Sequence, residues 1–254
     1  MTGIGDLAML TAAGVLAGLV GTAGGITSLI SYPALLVAGL PALAANVANI
    51  IALVACWPGA ALASQPELVG QRVWLRRWIP VAALGGAVGS LLLLFTPSGV
   101  FARVVPILVA VGSLALLAQP RLAAHLHQRG QLSGARGLIL PLGLTAMSLY
   151  NGYFGAGSGV MILALLLISV EPSLPTANAL KNMLIGAAAV TSAAIFAAAG
   201  PVDWMAVAPI GAGMFVGSIL GPRITRRLPA GLLRWLVALI GIALAIQLWI
   251  SPKS

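Results

Sequence analysis

The sequence predicts an all-α polytopic membrane protein, with two inverted repeats of about five helical segments each and glycine-broken helices at the repeat interface. Three observations predict it: a composition nearly stripped of charge, a chain made almost wholly of long apolar tracts, and a glycine cluster that occurs twice. Of 254 residues, 60% are hydrophobic and 7% charged, against about 25% charged in an ordinary soluble domain. So few charges cannot cover a water-soluble globule, which excludes a cytosolic enzyme. Thirteen Lys and Arg against four Asp and Glu give a net charge of +9. On a soluble domain that excess would point to nucleic acid. Here almost no mass lies outside the apolar tracts to hold one, so the expected surroundings are a lipid bilayer, and the positive charge reports topology. The one cysteine, Cys56, sits in an apolar run; it offers no disulfide framework and reads as a small packing residue. Met1–Asp6 has no basic n-region and does not read as a cleaved signal peptide.

Eight apolar tracts follow in order: Leu7–Ala38, Ala42–Ser64, Trp78–Phe95, Val100–Ala118, Gly137–Val170, Thr176–Ala199, Trp204–Gly221 and Ala230–Ile250. Short connectors with turn chemistry separate them, such as Thr96-Pro-Ser-Gly99. The first and fifth tracts have 32 and 34 residues. Each would measure roughly 50 Å as one straight helix, and the hydrocarbon core is only about 30 Å thick. Both carry glycines near the middle: Gly18, Gly21, Gly24 and Gly25 in one, Gly152, Gly155, Gly157 and Gly159 in the other. Glycine weakens a helix interior, so each long tract is expected to break there. That makes ten segments.

The basic residues test this count. With two unbroken tracts, Arg72, Arg76 and Arg77 share a side with Arg121, Arg129 and Arg136, while Arg223, Arg226 and Arg227 fall opposite. With two down-and-up pairs, all three clusters and Arg234 fall on one side, leaving only Arg103 and Lys253 near the other and Lys181 within a span. Only the ten-segment arrangement satisfies the positive-inside rule. It puts both termini outside a bacterial-type plasma (inner) membrane. The chain then divides into a first repeat at 1–119, a cytoplasmic linker loop at 120–135 and a second repeat at 136–254.

The halves echo each other. Gly18-x-x-Gly21-x-x-x-Gly25 matches Gly152-x-x-Gly155-x-x-x-Gly159. Pro41 with Ala45-Asn46 matches Pro175 with Ala177-Asn178, and Pro80 with Gly85-x-x-x-Gly89-Ser90 matches Pro209 with Gly213-x-x-x-Gly217-Ser218. Five segments per half is an odd number, so the second half enters the membrane upside down. Broken helices at matching places in an inverted repeat point to a transport site between the repeats.

At these residues the chain resembles the sulfite exporter TauE/SafE family of membrane transporters. The resemblance runs over nearly the whole length. It rests on Gly18-Leu-Val-Gly-Thr-Ala-Gly-Gly25 with Pro33, Gly39 and Pro41, and on Gly152-Tyr-Phe-Gly-Ala-Gly-Ser-Gly159 with Pro175-Thr-Ala-Asn-Ala-Leu-Lys-Asn182. Where family members usually show a glycine triplet, this chain has Ala23-Gly24-Gly25 and Gly157-Ser158-Gly159. The resemblance implies export of small sulfur-containing anions such as sulfite or organosulfonates.

An anion leaving water needs donors already held in place. The second half-helix of each break exposes free N–H groups and a partial positive charge. The candidate binding residues are therefore Gly24, Gly25 and Thr27 in the first break and Gly157, Ser158 and Gly159 in the second. Asn178, Lys181 and Asn182 share one face of the following helix by their i, i+3, i+4 spacing, and Asn46 and Asn49 hold the equivalent places in the first half. Lys181 is the one lysine in any apolar tract, and an intramembrane charge is a functional candidate by default; the alternative is that it snorkels to water. Asn46 and Asn178 can instead tie helices together. Tyr150 and Asn151 can line the path or simply pack. The GxxxG pairs Gly85/Gly89 and Gly213/Gly217 read as helix packing, and Trp74, Trp78, Trp204, Trp235 and Trp249 as interfacial anchors. His125 and His127 read as residues of a solvated loop.

Asp6, Glu67, Glu171 and Asp203 all fall at span ends or in loops, so no deep carboxylate offers a proton relay. No cofactor, metal cluster or Walker motif is expected. Two other readings compete: a membrane subunit that scaffolds a partner complex, and an intramembrane serine hydrolase using Ser158, for which no histidine is in reach. The small-residue faces serve a homodimer as readily as packing within one chain.

Overall fold

The computed structural model describes residues 3–128 and 136–225, together with 239, 242 and 246. Apart from those last three residues, the expected last span Ala230–Ile250, with Arg234, Trp235 and Trp249, lies outside that set, as do Arg129, Arg226, Arg227, Lys253 and most of the second half of the 120–135 stretch. The described chain is all α-helical: α1 (Ile4–Gly24), α2 (Thr27–Val37), α3 (Ala42–Leu53), α4 (Cys56–Ala63), α5 (Gln65–Leu68), α6 (Arg72–Phe95), α7 (Ser98–Gln128), α8 (Arg136–Tyr153), α9 (Ser158–Ser169), α10 (Leu174–Ala199) and α11 (Trp204–Thr225). Five stretches are long and apolar enough to cross a bilayer: Gly5–Gly24, Ala42–Ala63, Arg72–Phe95, Leu174–Ala199 and Trp204–Gly221. This is an integral membrane protein.

Both long tracts break at their glycine clusters. The first breaks between α1 and α2, at Gly25 and Ile26, and the second between α8 and α9, at residues 154–157. The half-helices that follow have 11 and 12 residues, roughly 16–18 Å of helix. That is too short to span the roughly 30 Å hydrocarbon core. Three sequence expectations are corrected. The tract Ala42–Ser64 is interrupted at Val54–Ala55, where α3 gives way to α4. The cause is Pro58, which has no N–H to return to the carbonyl four residues back. The 120–135 stretch, expected as a loop, is helical as far as Gln128; after Pro120 its first helix-weakening residue is Gly130. His125 and His127 therefore lie on a helix. Trp78, expected at an interface, is buried in an apolar cluster with Ala82 and Leu144, because α6 begins six residues earlier, at Arg72.

Glycine allows the helices to meet backbone to backbone. α11 runs alongside α1 in the same direction: a Cβ at Gly14 would strike Ile210, one at Gly18 would strike Met214, and one at Gly217 would strike Val15. α8 runs alongside α6 in the same way, with Gly85 against Ser148, Gly89 against Leu149 and Tyr153, and Gly152 against Gly86. The two GxxxG pairs serve helix packing. α10 crosses the end of α1, donating from Asn178, Lys181 and Asn182 to its last carbonyls. The first turns of α10 pack with Trp74, Leu75 and Trp78 near the start of α6. The starts of α6 and α8, which carry Arg72, Arg76, Arg77 and Arg136, thus lie at the same end of the bundle as the end of α11. The eight-segment arrangement would have separated them.

This packing makes a paired prediction. Gly18→Leu drives a side chain into the Met214 backbone and is expected to destabilise by about 3 kcal/mol or more. Gly99→Ala meets nothing within 4 Å and is expected to be neutral or slightly stabilising. Thermal unfolding of the two detergent-solubilised variants checks both.

Candidate functional site

The two breaks meet. Gly25 ends α1 in the left-handed region at φ 78°, a conformation that costs glycine nothing. Its N–H donates to the Gly21 carbonyl at 2.7 Å. In the second break Gly157 holds φ 80° immediately before α9. A Cβ built on Gly159 would lie 2.6 Å from the Gly25 Cα, and one on Gly25 would lie 2.8 Å from the Gly159 Cα. No side chain fits at either position. The contact brings the N-terminal ends of α2 and α9 to one place, where the first helical N–H groups have no carbonyl within their own helix.

Beside this contact lies a small cavity of about 30 Å³, partly open to its surroundings. Its polar wall is Thr22, Thr27, Ser28, Asn151, Ser158 and Asn182. Gly21, Gly25, Gly155 and Gly159 expose backbone to it, and Leu53, Cys56, Trp57 and Ile185 close the apolar side. No carboxylate lines it. Both helix N-termini reach it through Thr27 and Ser28 on one side and Ser158 and Gly159 on the other. The positive ends of two helices favour an anion there, while the Ser158, Val160 and Leu29 N–H groups are themselves taken by the Gly155, Gly157 and Ile26 carbonyls.

Of the residues predicted from sequence, Gly25, Thr27, Ser158, Gly159 and Asn182 line the cavity. Gly24 does not; it closes the last turn of α1 with open space around it. Gly157 caps α9 from behind. Asn46 and Asn178 tie the two halves of the chain to each other: Asn46 Nδ2 donates to the Tyr153 carbonyl at 2.9 Å, and Asn178 Nδ2 donates to the Thr22 carbonyl at 2.8 Å. These are the ends of α8 and α1, so the two amides hold the breaks in position. Asn49 forms a triad with α2, accepting from Ser31 Oγ and donating from Nδ2 to Ser28 Oγ at 3.0 Å. It stands behind the cavity wall.

Lys181 is fully buried, so it does not run out to water as the snorkelling alternative required. Its Nζ donates to the Gly21 carbonyl at 3.3 Å, and Asn182 Nδ2 donates to the Thr22 carbonyl at 3.0 Å. Three donors from α10 thus meet the last carbonyls of α1, where the helix dipole is negative. Lys181 lies behind the Gly21 wall and does not itself line the cavity. It is the one charged side chain buried among the described residues.

The sequence reading missed several wall residues. Trp57 and Cys56 lie in an unbroken apolar run, and only the interruption before Pro58 turns them inward. Gly186 carried no signal of its own, yet a Cβ there would overlap the Trp57 ring. Asn151 was visible as a polar residue beside the break. Its neighbour Tyr150 donates to the Ala156 carbonyl at 2.8 Å and props the break loop. Ser158 Oγ has the Asn151 Oδ1 and the Gly155 carbonyl as partners; neither is a base that could activate it as a nucleophile.

Short half-helices that follow each break, a polar cavity at their junction and an apolar exterior define the class: a polytopic membrane transporter. A family model described as sulfite exporter TauE/SafE matches residues 7–248, and the chain belongs to that family. Among curated relatives, a "Probable membrane transporter protein ORF9" from Sinorhizobium sp is 26% identical over 97% of this chain and 93% of its own length. A "Probable membrane transporter protein" of Haemophilus influenzae is 28% identical over 86% of this chain and 83% of its own. "Probable membrane transporter protein YfcA" of Escherichia coli K12 is 24% identical over 95% and 89%. No solved structure matches the chain significantly.

The geometry separates two glycines that the sequence treats alike. Gly159→Ala forces the breaks apart and is expected to cost about 1–3 kcal/mol of stability. Gly24→Ala is expected to be neutral or to gain up to about 1 kcal/mol from helix propensity. Comparison of their unfolding temperatures in detergent checks the pair.

Proposed function

We propose that this transporter exports a small sulfur-containing anion, of the sulfite or organosulfonate class, through the cavity between the two breaks. The observation that carries this reading is the convergence of two helix N-termini on a polar cavity without a carboxylate. The family description supplies the sulfur class. The proposed architecture is a pair of inverted repeats, supported by matched packing: α1 lies against α11 as α8 lies against α6, and Asn46 answers Asn178. In this reading the end of the bundle carrying Arg72, Arg76, Arg77 and Arg136 is cytoplasmic, and both termini lie outside a bacterial-type inner membrane.

Gly25, Thr27, Ser158, Gly159 and Asn182 contact the anion. Lys181 contributes its charge from behind the Gly21 wall, a positive potential that a low-dielectric interior screens weakly. Gly24, Asn46, Asn49, Gly157 and Asn178 shape the site without touching cargo. Export requires no coupling ion, because a negative-inside potential favours outward movement of each negative charge by about 2.3 kcal/mol per 100 mV.

Proteoliposomes test the reading. Purified wild-type protein is expected to carry radiolabelled sulfite or methanesulfonate with saturable, voltage-dependent flux. Lys181→Met is expected to lower that flux by about tenfold or more while inserting normally. Linear or absent flux for every sulfur anion contradicts the proposal, and unchanged flux in Lys181→Met removes the lysine from it.

A further inference from the structure

Two buried donors in the cavity wall have no acceptor. Trp57 Nε1 and Asn151 Nδ2 are enclosed, and neither has a hydrogen-bond partner. A buried unpaired donor costs about 1–3 kcal/mol, so two of them on one cavity call for an explanation. The residues come from opposite halves of the chain, Trp57 from α4 and Asn151 from the last turn of α8, and both line the cavity.

We infer that Trp57 Nε1, Asn151 Nδ2 and the Ser28 hydroxyl form a three-donor cradle that selects an anion with a three-oxygen, pyramidal head, such as a sulfonate, over a planar carboxylate. The inference rests on the anion-transport reading above. Each donor is aligned by a neighbour. Ser158 Oγ lies 2.6 Å from Asn151 Oδ1, an O–H···O distance shorter than N–H···O bonds usually reach. That bond pins the carbonyl end of the amide and leaves Nδ2 as the donor on offer. Ser28 Oγ accepts from Asn49 Nδ2, so its own proton is directed elsewhere. Gly186 admits the Trp57 indole, because a Cβ there would overlap the ring.

Geometry then sets the selectivity. Three side-chain donors supplied from α2, α4 and α8 can each meet one oxygen of a sulfonate head. A carboxylate has lone pairs enough for three bonds, but they lie in one plane, so it meets three donors fully only where those donors are coplanar with it. A site built to pair a polar group rejects the analogue that leaves it unpaired. Asn49 and Ser158 act here as positioning residues.

The test compares methanesulfonate with trifluoroacetate, two monoanions of similar size, in proteoliposomes of the full chain. Trp57→Phe keeps the ring and removes the N–H. Asn151→Leu keeps the approximate shape and removes the donor without adding charge. Each variant is expected to raise KM for methanesulfonate by about tenfold or more, the loss of one hydrogen bond to a charged group. KM for trifluoroacetate is expected to change less than about threefold. Should Trp57→Phe fail to elute as a single species, Asn151→Leu and Ser28→Ala carry the comparison. Wild-type KM for methanesulfonate in the folded variants, or equal loss of both anions, overturns the cradle. A wild-type protein that carries neither anion overturns the transport reading itself, and the cradle with it.

Discussion

The contact between Gly25 and Gly159 governs the rest of the molecule. In the proposed re-entrant arrangement the two broken tracts turn inside the bilayer, where backbone exposed at a turn has no water to bond. Placing the turns against each other covers both. Each packs directly on the other's backbone, and the only residue small enough for the approach is glycine. The cavity beside the contact is the place where that cover is incomplete, and there the helix N-termini find polar side chains instead of lipid.

The ends of α1 and α8 also have to be held, because a half-helix ending inside the membrane leaves carbonyls unbonded. The two halves use one device and then diverge. An asparagine from the opposite half of the chain reaches each end: Asn178 for α1 and Asn46 for α8. Three residues further on, one half has Lys181 donating to Gly21, and the other has Asn49 holding Ser28. One side of the site thus gains a buried positive charge; the other gains an aligned hydroxyl. A buried charge without a carboxylate partner is costly, and its place against a negative helix end offsets only part of that cost.

Much of this was legible in the sequence. The length of Leu7–Ala38 and Gly137–Val170 against bilayer thickness required the breaks, and the glycines located them within a residue or two. Asn46, Asn178 and Lys181 stood out because polar groups in apolar tracts have to be doing something. What the sequence did not disclose was direction. Spacing put Lys181 and Asn182 on one face, but not which carbonyls that face meets, so Lys181 was expected in the site and instead stands behind it. Trp57 and Cys56 look like lipid-facing or packing residues until Pro58 interrupts their helix. The helical run through His125 and His127 was hidden for the opposite reason: polar residues after Pro120 resemble a loop, although none of them before Gly130 opposes a helix.

The central claim is that the anion occupies the cavity between the breaks, and the protein carries its own reporter. Cys56 is the only cysteine in the chain, and it lines that cavity. The rate at which a small membrane-permeant maleimide alkylates Cys56, followed by mass spectrometry with and without saturating methanesulfonate, tests the claim most directly. Occupancy of the cavity predicts that labelling slows by about tenfold or more. A labelling rate indifferent to the anion, in protein that transports it, would place the binding site elsewhere.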